Sequence, residues 1–381
     1  MNITPEDYKF MARAIQLAEK GKYTTHPNPR VGCVIVKDNQ IVGEGFHQKA
    51  GEPHAEINAI NSATASSVTA SLQGATVYVT LEPCSHTGKT PPCANTLIQQ
   101  KIKRVVIGMQ DPNPEVAGKG IQKLRDAGLA VEVGVLENQA ELLNPGFIKR
   151  MKKGLPWVRI KLAMSIDGRT AMASGESQWI TGSAARNDVQ RLRAMADAIM
   201  TGSGTLLQDD PSLNVRTSAE ALGISNELKD KLKQPLCVLL DSQLQISPNA
   251  KMLGFDNRKT LIYTNSENDS KKEQLEKTGA KVITLSNDTE RLSLKDVLQD
   301  LAKQQINEIH VEAGATLCGA LLEQQLVDEI IIFMAPTLMG SNARGLFNLP
   351  ELNQMKDKFD IKIEDIRAIG NDWRITMKPV Y

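Results

Sequence analysis

Aromatic side chains are scarce in this 381-residue chain, at 4%, with three Trp, five Tyr and seven Phe. A platform for stacking nucleobases is therefore not expected. Charge of one sign is lacking too: 45 Lys and Arg face 44 Asp and Glu, a net charge of +1. Such a balance leaves no electrostatic footprint for a nucleic-acid backbone. No run of 18 apolar residues occurs, so no membrane-spanning helix is expected. Cysteine is sparse and odd in number, five residues at positions 33, 84, 93, 237 and 318. That is no disulfide framework, and it suits a reducing cytoplasm. The opening residues Met1 to Glu6 carry neither a basic region nor an apolar core of the secretory kind, so no leader is expected. Histidine is nearly missing from the second half. Four of five (His26, His47, His54, His86) lie in the first 90 residues and His310 stands apart. Metal or acid–base chemistry is therefore expected in the N-terminal part.

What is present is a set of metal-ligating types. His54-Ala55-Glu56 is followed by Pro83-Cys84 and then by Cys93. One imidazole and two thiolates make a soft triad for Zn2+. Three protein ligands leave the fourth tetrahedral position open to water, as in catalytic rather than structural sites. A bound zinc lowers the pKa of that water to about 7, and Glu56 is the candidate catalytic proton shuttle. His-x-Glu with Pro-Cys is the signature of zinc deaminases of amino-heterocycles. Most of those carry Pro-Cys-x-x-Cys, whereas here eight residues, Ser85 to Pro92, separate the cysteines. The longer loop admits a competing ligand, His86 in place of Cys93. Cys93 is the preferred choice, because it follows Pro91-Pro92 and opens a stretch, Ala94 to Ile98, that reads as a helix. A helix N-terminus stabilises a thiolate. Taken singly, a His or Cys is more often a satisfied core residue. A structural zinc would need a fourth ligand, for which His47 or His86 could serve. The co-occurrence of both arms favours the catalytic reading.

The length predicts two domains, and 41% hydrophobic with 23% charged residues is ordinary for a globular protein. Thr4 caps a helix with Pro5 at its first position, acids at Glu6 and Asp7, and an apolar face of Tyr8, Met11, Ala12 and Ile15 ending near Gly21. Val31 to Val36 and Ile41 to Phe46 read as a hairpin around Asp38-Asn39. Helices are expected from His54 to about Ala63, after Cys93, and over Ile121 to Ala127. Strands are expected at Ala75 to Leu81, Arg104 to Gly108 and Val131 to Val135. Glu137 to Lys153 reads as one helix, and the domain boundary is placed after it, giving domains 1–153 and 154–381. In the second half strands are expected at Trp157 to Met164, Ala198 to Thr201, Leu236 to Leu240, Thr260 to Tyr263, Val282 to Leu285, Glu308 to Glu312 and Glu329 to Met334. Helices are expected at 183–195, 293–304 and 315–325. Alternation of this kind implies an α/β fold with helices layered on sheets. The polar stretches Thr217 to Lys233 and Asn265 to Lys272 read as surface insertions.

Two loops in the second half are candidates for phosphate binding. Thr201-Gly202-Ser203-Gly204-Thr205 follows a strand but lacks the third glycine and the later acid of a Rossmann fingerprint. Glu312-Ala313-Gly314-Ala315-Thr316 joins a strand to a helix, where small residues and free N–H groups suit a pyrophosphate. Each loop alone is more often a tight strand–helix turn. Ser165 to Thr170 reads as a turn between two strands. Arg193 and Arg216 are either surface charges or a clamp on a substrate phosphate.

Together these segments resemble the bifunctional deaminase–reductases of riboflavin biosynthesis over nearly the whole chain. The motifs are Thr25-His26-Pro27-Asn28-Pro29, Val31-Gly32-Cys33-Val34-Ile35, Gly51-Glu52-Pro53-His54-Ala55-Glu56, Val79 to His86 with Thr90-Pro91-Pro92-Cys93, Lys161 to Ala171, Ser177-Gln178-Trp179-Ile180-Thr181, Asp209-Asp210-Pro211 and Glu312-Ala313-Gly314. The long Cys–Cys loop is a property of that family. The resemblance implies a cytidine-deaminase-like three-layer domain followed by a dihydrofolate-reductase-like α/β domain. It implies hydrolytic removal of the 2-amino group of 2,5-diamino-6-(5-phosphoribosylamino)pyrimidin-4-one, with Glu56 moving the protons, and then NADPH-dependent reduction of the ribosyl group to ribityl. By this match Ser177, Arg193, Leu213, Arg216 and Glu312 contact substrate in the reductase half, and Asn28, His47 and Lys89 do so in the deaminase half. Ala163, Trp179, Thr205, Asp209, Ser242 and the run Gly314, Ala315, Thr316, Leu317, Cys318, Gly319 and Ala320 contact NADPH. The implied partner is a small-molecule pyrimidine ribose phosphate, with no nucleic acid and no membrane. Homo-oligomers through the reductase domain are implied as well. A nucleic-acid or nucleoside base deaminase with an accessory domain is the alternative, and it would require the basic, aromatic-lined groove that the composition argues against.

Overall fold

The computed structural model describes residues 3–65, 71–85, 92–114, 116–285 and 291–381. They divide into two compact units. The first holds the residues up to Gly154 together with Gly223–Leu232, and the second holds Leu155–Leu222 and Lys233–Tyr381.

The first unit runs α1 (Pro5–Glu19), β1 (Gly32–Lys37), β2 (Gln40–Phe46), α2 (Ala55–Ala65), β3 (Thr76–Leu81), α3 (Cys93–Gln99), β4 (Arg104–Met109), α4 (Lys119–Asp126), β5 (Ala130–Val133), α5 (Glu137–Leu143) and α6 (Pro145–Lys153). Its sheet has the order β2-β1-β3-β4-β5. β1 pairs antiparallel with β2 and β3, and β3, β4 and β5 are parallel. The inner strands β1, β3 and β4 are apolar on both faces, and both faces are covered. Cys33, Ile35, Val77, Val79, Val105 and Ile107 pack under Ala59, Ala63, Leu97 and Leu124 from α2, α3 and α4. The alternate residues Val34, Val36, Tyr78 and Val106 pack against Phe10, Met11, Ala14 and Leu17 of α1. This is the expected three-layer arrangement.

Thr4 and Asp7 form a capping box at the start of α1. Asp7 also ties that helix to the sheet, accepting from Tyr78 Oη (2.9 Å) and from both terminal nitrogens of Arg104 (2.6 and 2.9 Å). Burial alone would raise the Asp7 carboxyl, but Arg104, the Thr4 N–H and Tyr78 bring it down to about 2. On the other face, α2 lies almost against the backbone of β2. A Cβ on Gly43 would stand 2.3 Å from Ala59 O, and one on Gly45 would stand 2.3 Å from Ala59 N. Only glycine permits that approach.

The second unit runs β6 (Trp157–Ser165), β7 (Arg169–Ala171), α7 (Ser183–Met195), β8 (Ala198–Gly202), α8 (Ser203–Asp209), β9 (Leu236–Leu240), β10 (Thr260–Thr264), α9 (Asp269–Glu276), β11 (Lys281–Thr284), α10 (Leu294–Lys303), β12 (Glu308–Val311), α11 (Ala315–Glu323), β13 (Glu329–Ala335), β14 (Arg344–Gly345), β15 (Asp360–Ile369) and β16 (Asp372–Val380). Its nine-stranded sheet has the order β11-β10-β9-β8-β12-β6-β13-β16-β15. Pairing is parallel from β11 to β13 and antiparallel beyond. From β8 the chain moves outward to β9, whereas from β12 it passes across β6 to β13. The crossovers therefore diverge between β8 and β12, a topological switch point where open α/β sheets bind ligands at the carboxyl ends of strands.

Three expectations are corrected, and one element appears that none had covered. The helix read over Glu137 to Lys153 is broken at Asn144 (φ −134°, ψ 45°). Pro145 excludes its predecessor from helical geometry, and the Asn144 side chain instead bonds Arg30 N (2.7 Å) and O (2.9 Å). The stretch Asn265 to Lys272 is no plain insertion, since Asn268 caps α9 through Lys271 N–H. The stretch Thr217 to Lys233 buries Leu222, Ile224 and Leu228. The ribbon β15–β16 was not expected at all.

Candidate metal centre and candidate reductase cleft

β3 ends by delivering Cys84, α2 begins just after His54, and Cys93 is the first residue of α3. His54 Nδ1 lies 3.7 Å from Cys84 Sγ and 3.4 Å from Cys93 Sγ, and all three donor atoms lie within 4.8 Å of one another. Donors at tetrahedral zinc distances stand roughly 3.3–3.8 Å apart, so the two His–Cys separations fit one ion. Cys93 N–H points at Cys84 Sγ (3.3 Å), and Ala94 N–H donates to Cys84 O (3.2 Å). Hydrogen bonds from Cys93 and His54 hold the Cys84 thiol well below its ordinary range. Cys93 shares that interaction from the other side and is pushed up. His54 is raised, chiefly by Cys84.

Glu56 sits one residue into α2 and is only 3% exposed. Burial pushes its carboxyl up to about 7, against the pull of His54. A carboxyl poised near neutrality can both hold and release a proton.

His47 is not a fourth ligand. Its Nε2 meets Asn28 Nδ2 at 3.1 Å and its Nδ1 meets Pro53 O at 3.1 Å. With Asn28 donating to Nε2, the ring proton sits on Nδ1 and faces the carbonyl. Burial lowers its pKa to about 4, so the ring is neutral. It stands edge-on to His54, with centroids 5.4 Å apart. Asn28, His47, His54 and Glu56 therefore belong to one site. His86 and Lys89 lie outside the described residues.

The second constellation lies at the switch point of the larger sheet. Glu312 follows β12 and pairs with Arg193 of α7 through two hydrogen bonds, of 2.5 and 3.0 Å. Arg193 also donates to Asn214 O (2.9 Å). Burial alone would raise Glu312, but Arg193 and His310 hold it well below the usual carboxylate range. Arg193 is thus no surface charge, whereas Arg216 is exposed, its pKa lowered by partial burial and by Arg193. The Gly314 N–H donates to Thr205 Oγ1 (3.1 Å), which joins the two strand–helix loops at the divergence of β8 and β12. Gly314 and Thr316 are exposed there, and Ala315, Leu317 and Ala320 are half-buried. Cys318 and Gly319 face inward. Cys318 is fully buried, and a Cβ on Gly319 would stand 2.1 Å from Asn348 O.

Ala163 lies in β6, Ser242 follows β9, Asp209 ends α8 and Ser177 precedes α7. Trp179 is 71% exposed, with the Arg186 guanidinium 4.7 Å over its ring. Leu213, expected to contact substrate, is only 2% exposed: its side chain is buried in the apolar cluster with Ile199, Leu239 and Ile262, and its carbonyl accepts from Arg258 Nη1 (2.7 Å), so it is not presented to a ligand. Two residues not singled out for roles from sequence join this constellation. Lys161 in β6 is lowered by burial and interacts electrostatically with Glu312, Arg193 and Cys318. His310 is buried with its Nε2 3.5 Å from Glu312 Oε1, and burial lowers its pKa. A lysine two residues after Arg159 in the mostly apolar strand β6 was the signal available for the first.

Comparison with known proteins finds a family match in each half of the chain. The family model of the cytidine and deoxycytidylate deaminase zinc-binding region matches residues 4–109, and that of the RibD C-terminal domain matches residues 156–375. The riboflavin biosynthesis protein RibD of Escherichia coli is 48% identical over 369 residues, covering 96% of this chain and 98% of the relative. That of Haemophilus influenzae is 48% identical over 384 residues, covering 100% and 99%. The solved structure of Acinetobacter baumannii RibD superposes with a TM-score of 0.88 at 46% identity, covering 99% of each chain. The diaminohydroxyphosphoribosylaminopyrimidine deaminase/5-amino-6-(5-phosphoribosylamino)uracil reductase of Thermotoga maritima gives 0.84 at 34%, covering 98% and 99%. With similarity of this order over the full length, and with a zinc-type triad in one unit, the chain belongs to the RibD family of bifunctional riboflavin-biosynthesis deaminase–reductases.

Proposed function

We propose a division of labour in which each of the two reactions has its own residues. The enzyme deaminates the diaminopyrimidine ribose phosphate and then reduces its ribosyl group, with zinc and NADPH as cofactors. His54, Cys84 and Cys93 hold the zinc, which when bound supplies a water acidic enough to attack near neutral pH. Glu56 takes a proton from the attacking water and returns protons to the ring nitrogen and to the departing amine. The burial that lifts its carboxyl toward neutrality suits both transfers. Asn28 and His47 present polar edges to the pyrimidine beside the donor triad, with Lys89 proposed as a further substrate contact.

In the second unit, Glu312 and Arg193 orient the sugar phosphate with Arg216 and Ser177. Lys161, half-buried in β6 beside the charges of Glu312 and Arg193 and with its pKa lowered by desolvation, is proposed as the proton source. NADPH is assigned to the carboxyl edge of the sheet: Ala163, Thr205, Asp209, Ser242 and the start of α11 from Gly314, with Trp179 at the rim. NADPH bound by these residues would supply the hydride for reduction at the sugar carbon.

The observation that carries the deaminase reading is the joint placement of three soft donors within 4.8 Å of one another and a buried glutamate two residues from one of them. Glu56→Gln is the test. Zinc content and NADPH-dependent reduction of supplied deaminated substrate are expected to persist while ammonia release falls to background. Retained ammonia release would overturn the assignment.

A homo-oligomer through the reductase half is also proposed. β15 is an edge strand, and a bulge at Glu364 keeps Ile361, Ile363 and Ile366 on one face, opposite Pro379, Met377 and Ile375. Those three isoleucines are 39–55% exposed, and an exposed apolar sheet margin of this kind marks an association surface. Light scattering that gave a monomer at micromolar concentration would refute it. No helix among the described residues is long and apolar enough to cross a membrane. The five cysteines are all unpaired, and a cytoplasmic location is proposed on that basis.

A further inference from the structure

Residues Gly223–Leu232 come from the reductase half of the sequence yet belong to the deaminase unit. Ile224 and Leu228 are buried, and a short 3-10 turn, Lys229–Lys231, follows them. That turn sets Lys231 Nζ between Gln48 Oε1 (2.7 Å) and Glu52 Oε2 (2.6 Å). The Lys231 side chain keeps only 21% of its exposure.

Both acceptors lie on the loop that joins β2 to α2. Its first residue is His47 and its last is His54. It turns tightly through Gly51 (φ +89°), with Glu52 N–H donating to Lys49 O (3.0 Å). Its two ends are tied by the contact between His47 Nδ1 and Pro53 O. One ammonium therefore grips the middle of a loop whose ends carry a proposed substrate contact and a proposed metal ligand. A charge-assisted hydrogen bond to each side of the turn resists spreading of the loop. Among the described residues Lys231 is the one ion-pair partner of Glu52, and it donates a hydrogen bond to the neutral Gln48 amide as well.

We infer that Lys231 is a positioning residue for the deaminase site, acting through the Gln48–Glu52 turn on the placement of His47 and Asn28 toward the pyrimidine. This rests on the deaminase reading above, and the test separates the two. Lys231→Met keeps the apolar stem and removes the charge, and Lys231→Arg restores a donor. In the full-length protein, Lys231→Met should raise the KM for the diaminopyrimidine phosphate about ten-fold, the loss of charged hydrogen bonds being of that order. The kcat of ammonia release should change less than about three-fold by the same scale. Zinc stoichiometry and reduction of supplied deaminated substrate should match the parent, and Lys231→Arg should recover most of the KM. A parental KM in Lys231→Met would overturn the inference. So would loss of zinc, or equal damage to both activities, either of which makes the contact purely structural. Failure of the deaminase reading itself would instead show as ammonia release that survives Glu56→Gln.

Discussion

Gly45→Ala adds a single methyl group, and its consequence can be worked from the contact between β2 and α2. The new Cβ would lie 2.3 Å from Ala59 N, 2.6 Å from Ala55 O and 2.7 Å from Asn58 C. All three are backbone atoms, so no side chain can rotate away. An ordinary contact begins near 3.4 Å, so α2 has to retreat by about 1 Å, a misplacement that can cost on the order of 100-fold in rate. The displaced segment includes Ala55 and therefore the first turn, where Glu56 sits beside His54. Overpacking of this kind destabilises by about 1–3 kcal/mol, which leaves the unit folded. Expected is a fall in kcat/KM for ammonia release of about 10- to 100-fold, with reduction of supplied deaminated substrate unchanged. Ammonia and NADPH absorbance followed together, with zinc measured on the same sample, make the check. Parental deamination in a folded, zinc-loaded variant would refute the view that this helix–strand approach sets the catalytic geometry.

Three further outcomes are expected. Cys84→Ala should lose zinc and lower the melting temperature of the deaminase unit, because metal binding is coupled to folding; full zinc occupancy by atomic emission would contradict the ligand set. Arg193→Lys should weaken reduction about ten-fold or more, since a lysine cannot reproduce the two-pronged bond to Glu312; unchanged NADPH consumption at low substrate would count against that pair. Asp7→Asn should destabilise the protein at neutral pH. The Asp7 carboxyl falls from 3.8 to about 2 on folding, so its contribution is complete above about pH 4 and fades as pH drops toward 2. Urea melts of parent and variant should therefore converge over that interval, and a constant gap would refute the role of the Arg104 pair.

The metal triad was legible because its ligands are chemically rare types at diagnostic spacing. Most strands were legible for a different reason: β1, β3, β4, β8, β9 and β12 are covered on both faces and so read as short apolar runs. What escaped lacks a local signature. β15 spells an alternation of isoleucines with charges, and its place is fixed by pairing with β16 and by the bulge at Glu364. The pairing of Arg193 with Glu312 spans 119 positions, so the arginine looked equally like a surface charge. Asn144 was hidden in a helical composition because its partner, Arg30, lies 114 positions away. The polar composition of residues 223–232 concealed two anchoring side chains, Ile224 and Leu228, whose burial depends on the tertiary fold.

That last segment has a consequence for how such a chain can be divided. The polypeptide leaves the first unit at Gly154, re-enters it at Gly223 and departs again after Leu232. A gene split at the obvious junction would yield a deaminase fragment missing its own lysine and a reductase fragment trailing an orphaned apolar strap. Fusion of the two activities in one reading frame therefore also delivers to the first of them the lysine that braces its Gln48–Glu52 turn.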